Sequence, residues 1–295
     1  MAVKQDLELA RFDTDLVPGR MDYAVLRPEG SAPPGGFPLL YFLHGGGGSR
    51  DFLATSRGTL DAAWDGGDLP PCVVVTPSVQ RSFYMDYRDG SHRWETLLTG
   101  PFLAHIRAAT DASADRGSTA ICGISMGGMG GLRMAFRHPE LFGAVAALEP
   151  GIEPALRFAD IELRDRFWRD DNLFQEIYGS PVDEDYWADT NPATIASRAP
   201  ERLRDTAIYL ECGDRDSFGL HRGTEYLHRV LFDAGVSHEY RLVRGADHLG
   251  QTLPARFADA LRFLGEAFHP APPDQSLEQF HQWISGLKAR AGVPA

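Results

Sequence analysis

Apolar positions along this chain follow two regimes. Near its start, VKQDLELARF and MDYAVLRP alternate apolar and polar residues, the period of two that sends successive side chains to opposite faces of a strand. A VPGR turn separates them, so the pair predicts an antiparallel hairpin at a sheet edge. Six short apolar runs follow: FPLLYFLHGGGG (37–48), PCVVVTPSV (71–79), TAICGIS (119–125), GAVAALEPG (143–151), TAIYLECGD (206–214) and HEYRLVRG (238–245). Most show little alternation, as expected of parallel strands covered on both faces. Helix-like segments lie between or after them: RWETLLTGPFLAHIRAAT, GGLRMAFRHPELF, GTEYLHRVLFDAG and LPARFADALRFLGEAF. Such alternation predicts an α/β fold, a mostly parallel sheet with helices on both faces.

Two stretches depart from the rhythm. Residues 151 to about 200 hold many aromatic and charged residues and no convincing strand. A helical, cap-like insertion over the strand ends and an ordinary surface excursion are both open readings. After the linker HPAPPD, SLEQFHQWISGLKAR puts Leu277, Phe280, Trp283, Ile284 and Leu287 on one helical face. That stripe is expected to dock on the chain's own core, with a homodimer contact as the alternative. All 295 residues read as a single domain.

Composition narrows the function classes. A net charge of -12 with no basic stripe argues against nucleic acid as a partner. Cys72, Cys122 and Cys212 each sit in or beside an apolar run, which reads as buried free thiols suited to a reducing compartment. The segment MAVKQDLELARFDTD has no apolar signal core. No run approaches the roughly 18 apolar residues of a membrane helix. The expectation is a soluble, cytoplasmic protein without a membrane partner.

The chemistry concentrates around TAICGISMGGMGG (119–131), where a buried strand meets a lone serine among glycines. Gly123-Ile124-Ser125-Met126-Gly127 has the G-x-S-x-G spacing of a nucleophile elbow. Small neighbours let Ser125 hold a tight turn, and the following helix points its positive end at charge developing there. A serine needs a base, and the base an orienting acid, in the chain order serine, acid, histidine for this strand–turn–helix arrangement. Asp216 is preferred as the acid over Asp214, both just past the AIYLECG strand; Glu149, ending GAVAALE, is a third candidate. A charged contact to substrate or a solvated carboxylate is the expected role of Glu149. His248, after the last strand and ahead of a helix, is the histidine with the required order and loop position. His44 is read as structural, His138 as a helix terminus, and His221 and His228 as surface residues. HGGGG (44–48) follows the first central strand and offers oxyanion donors. Gly46 N–H with Met126 N–H is the preferred pair, with Gly45 or Gly47 able to replace the first. Aromatics of SFYMDY (82–87) and Trp168 or Trp187 are candidates for the pocket wall. Dinucleotide and phosphate-loop spacings fail, since Arg133 stands where GxGxxG needs glycine and GGGGSR lacks GK[ST]. HExxH and ligand-spaced Cys/His clusters are missing, so no metal is expected.

FLHGGGGSRDF, GISMGGMGGLRMAFRHPELFGAVAAL, LECGDRD and GADH resemble the esterase D family of α/β-hydrolases. That family takes in S-formylglutathione hydrolases, feruloyl and short-chain carboxylesterases, enterochelin-type esterases and mycolyltransferases. The similarity covers residues 20 to about 268. It implies an eight-stranded sheet, no cofactor, a Ser125–Asp216–His248 triad, and Gly46 and Met126 as oxyanion donors. Gly100-Pro101 stands where many relatives carry Glu-Leu, and ALEPG replaces the usual small or serine-containing strand end; both count against S-formylglutathione specificity. The resulting expectation is a serine carboxylesterase acting on small acyl or aryl esters. Acyl transfer to an alcohol and thioester hydrolysis are the alternatives.

Overall fold

The alternating segments form β1 (Gln5–Asp13) and β2 (Arg20–Pro28), paired antiparallel in one unbroken register from Gln5 opposite Pro28 to Asp13 opposite Arg20. The computed structural model describes residues 5–272 and 274–293. The six apolar runs become β3 (Leu39–Leu43), β4 (Val73–Pro77), β5 (Thr119–Ile124), β6 (Ala144–Leu148), β7 (Ala207–Gly213) and β8 (Glu239–Val243). Together they make one eight-stranded sheet in the order β1-β2-β4-β3-β5-β6-β7-β8. The first hairpin joins β4 antiparallel, and all later neighbours are parallel.

Between the strands lie α1 (Asp51–Thr55), α2 (Arg57–Gly66), α3 (Trp94–Thr99), α4 (Pro101–Thr110) and α5 (Met126–Arg137). Then come α6 (Asp171–Tyr178), α7 (Glu184–Thr190), α8 (Pro192–Arg198), α9 (His221–Asp233), α10 (Leu253–Phe268) and α11 (Gln275–Arg290). β3 shows why its run lacks alternation. Leu39, Tyr41 and Leu43 pack on one face with α3, α4 and α5, while Leu40 and Phe42 pack on the other with α2 and α10. Burial on both sides requires apolar residues at every position. The helix-like stretch 93–110 divides at Gly100-Pro101, because Pro101 has no N–H to continue a helix and suits the first turn of a new one.

Residues 151–200 form helices α6–α8 and short 3-10 turns, with no strand among the described residues. Each helix starts at a polar cap: Asp170 accepts from Leu173 N–H, Asp183 from Tyr186 N–H, and Asn191 from Ala193 N–H. Inside the insertion, Arg169 is buried against Glu153 and lies over the rings of Phe83 and Phe174.

The tail helix departs from expectation. α11 forms behind an Asp274 cap, yet none of its residues is buried, and Phe280 and Trp283 are 53% and 57% exposed. It does not dock on the core. Its stripe stays open to solvent while the core on both faces of the sheet is filled by other helices. All three cysteines are buried and unpaired. No helix among the described residues is long and apolar enough to cross a membrane.

Candidate active site

Ser125 joins β5 to α5 with φ 57° and ψ -118°, a conformation that non-glycine residues seldom adopt. Its surroundings hold it there. Ser125 N–H donates to the Leu148 carbonyl at 2.8 Å, and its own carbonyl accepts from Met129 N–H at 3.0 Å and Gly151 N–H at 3.2 Å. The flanking glycines are needed for close approach: a Cβ on Gly123 would lie 2.3 Å from the Gly127 carbonyl oxygen, and one on Gly127 would lie 2.4 Å from that of Leu43. The elbow is thus wedged between β5 and the end of β3.

Asp216 lies in the loop after β7 and His248 in the loop after β8. His248 Nδ1 and Asp216 Oδ2 are 2.7 Å apart, so the imidazole donates to the carboxylate. Asp216 Oδ1 accepts the N–H groups of Phe218 and Leu220 at 2.8 and 3.0 Å. Burial alone would raise the Asp216 pKa, but the bonds from His248 and Leu220 outweigh it and hold the carboxyl below its ordinary value. The two loops are also sewn together by Asp247, which accepts from Ser217 N–H and Oγ and from His248 N–H, each at 2.7 Å. Asp214 instead accepts from Gly245 N–H at 2.6 Å, so Asp216 is the acid that meets the histidine.

Ser125, Met126, His248 and Gly45–Gly48 line one cavity of about 570 Å³. Gly45 lies against the Ser125 side chain, and Gly46 faces Arg81. Met126 opens α5, where first-turn N–H groups have no helical partner. His44 supports the glycine loop, donating from Nδ1 to the Gly45 carbonyl at 2.7 Å; burial pushes its pKa below the usual value. Of the aromatic candidates, Phe83 and Trp168 line the cavity. Trp187 does not: it is fully buried within the insertion against Phe158. Tyr84 is likewise internal, donating to the His44 carbonyl at 2.9 Å.

A family model described as "Putative esterase" matches residues 15–264. The chain belongs to this esterase family. The curated "Esterase Rv1288" of Mycobacterium tuberculosis (strain ATCC 25618 / H37Rv) is 28% identical over 142 residues, 46% of this chain and 30% of the relative. The chain therefore spans less than a third of that relative's length. Among solved structures, a ferulic acid esterase superposes with a TM-score of 0.74 at 21% identity, covering 90% of this chain and 99% of the other. The Staphylococcus aureus fluorophosphonate-binding serine hydrolase FphF gives 0.73 at 17% identity, covering 88% and 98%. An S-formylglutathione hydrolase from Agrobacterium tumefaciens gives 0.71 at 18% identity, covering 91% and 100%. At these identities the likeness establishes the fold.

Several residues of the cavity escaped sequence reasoning. Arg81 is the one permanently charged side chain on the described lining, and Phe218 and Leu249 belong to its apolar wall. Phe218 packs its ring edge-on to His248 at 4.6 Å. Glu149 corrects an expectation. It is neither solvated nor in the cavity but fully buried, paired with Arg256 from α10.

Proposed function

We propose that this esterase hydrolyses small acyl or aryl carboxylic esters through an acyl-enzyme on Ser125. The observation carrying the reading is the 2.7 Å His248–Asp216 pair, whose histidine lines the same cavity as a serine on a strained elbow. With Nδ1 committed to Asp216, Nε2 is the ring nitrogen left to exchange a proton with Ser125. It accepts the hydroxyl proton as Ser125 Oγ bonds to the ester carbonyl carbon. The carbonyl oxygen becomes an oxyanion facing the Gly46 and Met126 N–H groups. Collapse of this intermediate breaks the bond to the alkoxy oxygen, which leaves with the proton carried by His248. Water then attacks the acyl-enzyme, giving its proton to His248, and the carboxylic acid departs as Ser125 regains its hydrogen. Each oxyanion donor is worth about 3 kcal/mol of barrier. A wall made largely of Phe83, Trp168, Phe218 and Leu249 supports an apolar acyl or aryl group as the group held there.

A panel of p-nitrophenyl esters from acetate to octanoate, run beside feruloyl esters and a thioester, tests the reading. Turnover of acetate or butyrate is expected, with Ser125→Ala abolishing it. Unchanged turnover in Ser125→Ala rejects the mechanism. Analysis of products with added alcohols separates hydrolysis from acyl transfer.

A further inference from the structure

Glu149 follows the last residue of β6 with φ 46°, a left-handed backbone uncommon outside glycine. Its side chain is 0% exposed, and its partners come from three elements. Oε1 accepts from Gly213 N–H at 3.0 Å and from Arg256, while Oε2 lies 2.5 Å from Cys212 Sγ. Carboxyl oxygens of Glu149 and Asp216, together with Cys212 Sγ, lie within 4.8 Å of one another, so a proton held on one carboxyl lies beside the other. Arg256 reaches onward, donating from Nη2 to the Asp247 carbonyl at 3.2 Å. Its Nε is 3.4 Å from Glu211, a buried carboxyl that accepts from Tyr209 OH at 2.5 Å.

Cys212 and Glu211 approach Glu149 from β7, Asp216 from the acid loop with His248 behind it, and Arg256 from α10. Three buried carboxyls therefore share one permanent cation. Burial penalises an anion without a partner, so the cluster retains a proton. Asp216 is the poorest place for it, because both of its oxygens accept hydrogen bonds from N–H donors. On Glu149, Oε1 takes two N–H donors while Oε2 takes only the weakly donating Cys212 thiol, so Oε2 is the oxygen that carries the proton. Burial first of all pushes the Glu149 pKa up, to about 7, whereas that of Asp216 stays low.

We infer that Glu149 is a positioning residue of the esterase site: a proton-bearing carboxyl that donates to Asp216 and, through Arg256, ties the acid loop to the histidine loop. The inference rests on the reading of Ser125, Asp216 and His248 as the triad. While Glu149 carries its proton, Asp216 keeps its full charge and orientation for His248. When the proton leaves, two carboxylates face each other and the bond that aims Asp216 is lost. Activity then falls as rising pH takes the proton from Glu149.

The test compares wild type, Glu149→Gln and Glu149→Ala in kcat and KM from pH 5 to 9. Wild-type Ser125 is first labelled with a fluorophosphonate. Wild-type kcat is expected to pass through a maximum and fall three- to tenfold by pH 9. Glu149→Gln keeps a neutral donor of the same shape, so it should retain at least a third of the maximal kcat and hold a plateau to pH 9. Glu149→Ala should lose at least 30-fold in kcat with KM within threefold. The inference is overturned if Glu149→Gln keeps the alkaline decline, or falls as far as Glu149→Ala. Should Glu149→Ala not fold, the comparison of Glu149→Gln with wild type still decides. Failure of wild-type Ser125 to label would instead indict the triad reading itself.

Discussion

Gly123→Ala is the substitution whose consequence follows most directly from the geometry. The added Cβ would sit 2.3 Å from the Gly127 carbonyl oxygen, 2.4 Å from its carbon and 2.9 Å from Gly128 nitrogen. Ordinary contact begins at 3.4 Å, so the chain must move by roughly 1 Å to admit a methyl group. Every atom in the way is backbone of the elbow, hence the shift is carried by Ser125 and not by a flexible side chain. A displacement of about 1 Å between reacting groups costs about 100-fold in rate. The overpacking itself costs about 1–3 kcal/mol of stability. The assay is kcat on p-nitrophenyl acetate, the rate of fluorophosphonate labelling, and Tm. Both rates should fall about 100-fold, with Tm lowered by several degrees. Gly58→Ala is the control, since nothing lies within 4 Å of its Cβ and it sits inside α2; it should add about 0.5–1 kcal/mol and leave kcat alone. A Gly123→Ala protein with wild-type Tm and kcat within threefold refutes the argument that these glycines hold the serine in place.

Two further predictions concern stability. Glu95 is buried beneath α5, and burial would raise its pKa, but the bond from His138 and the charges of Arg133 and Arg137 hold it at about 2. A depressed carboxyl stabilises the fold above its unfolded pKa of about 4.3 and loses that contribution as pH falls toward 2. Glu95→Gln should therefore cost about 3 kcal/mol in urea titrations at pH 7 and progressively less below pH 4; an equal cost at pH 3 contradicts the assignment. Arg169→Met should cost about 3–5 kcal/mol by stranding the buried Glu153, with much of the loss recovered by adding Glu153→Leu. A single variant as stable as wild type would show that the pair does not clasp the insertion.

Strand positions were legible because sheet burial writes itself directly into consecutive apolar residues, as Leu39–Leu43 shows. The elbow was legible for a similar reason, since only small residues survive at Gly123 and Gly127. Other features depended on surfaces distant in sequence. The stripe on α11 has the same pattern whether or not it packs on the core, and here none of its residues is buried. Glu149 ends a strand as a solvated acid would, but its burial is set by Arg256, 107 positions away. Trp168 and Trp187 look alike along the chain, and only the packing of the insertion sends one to the cavity and the other inward. α1 and α2 escaped notice because their buried residues, Leu53, Leu60, Ala63 and Trp64, are sparse and interrupted by Gly58.

The most direct measurement is the mass of the intact protein during turnover of a slowly deacylated p-nitrophenyl ester, with the modified residue located by fragmentation. The account predicts a single acyl group on Ser125, formed at the rate of the p-nitrophenol burst and lost at the steady-state rate, and no adduct in Ser125→Ala. Turnover without any adduct, or an adduct on another side chain with Ser125→Ala still active, would contradict it.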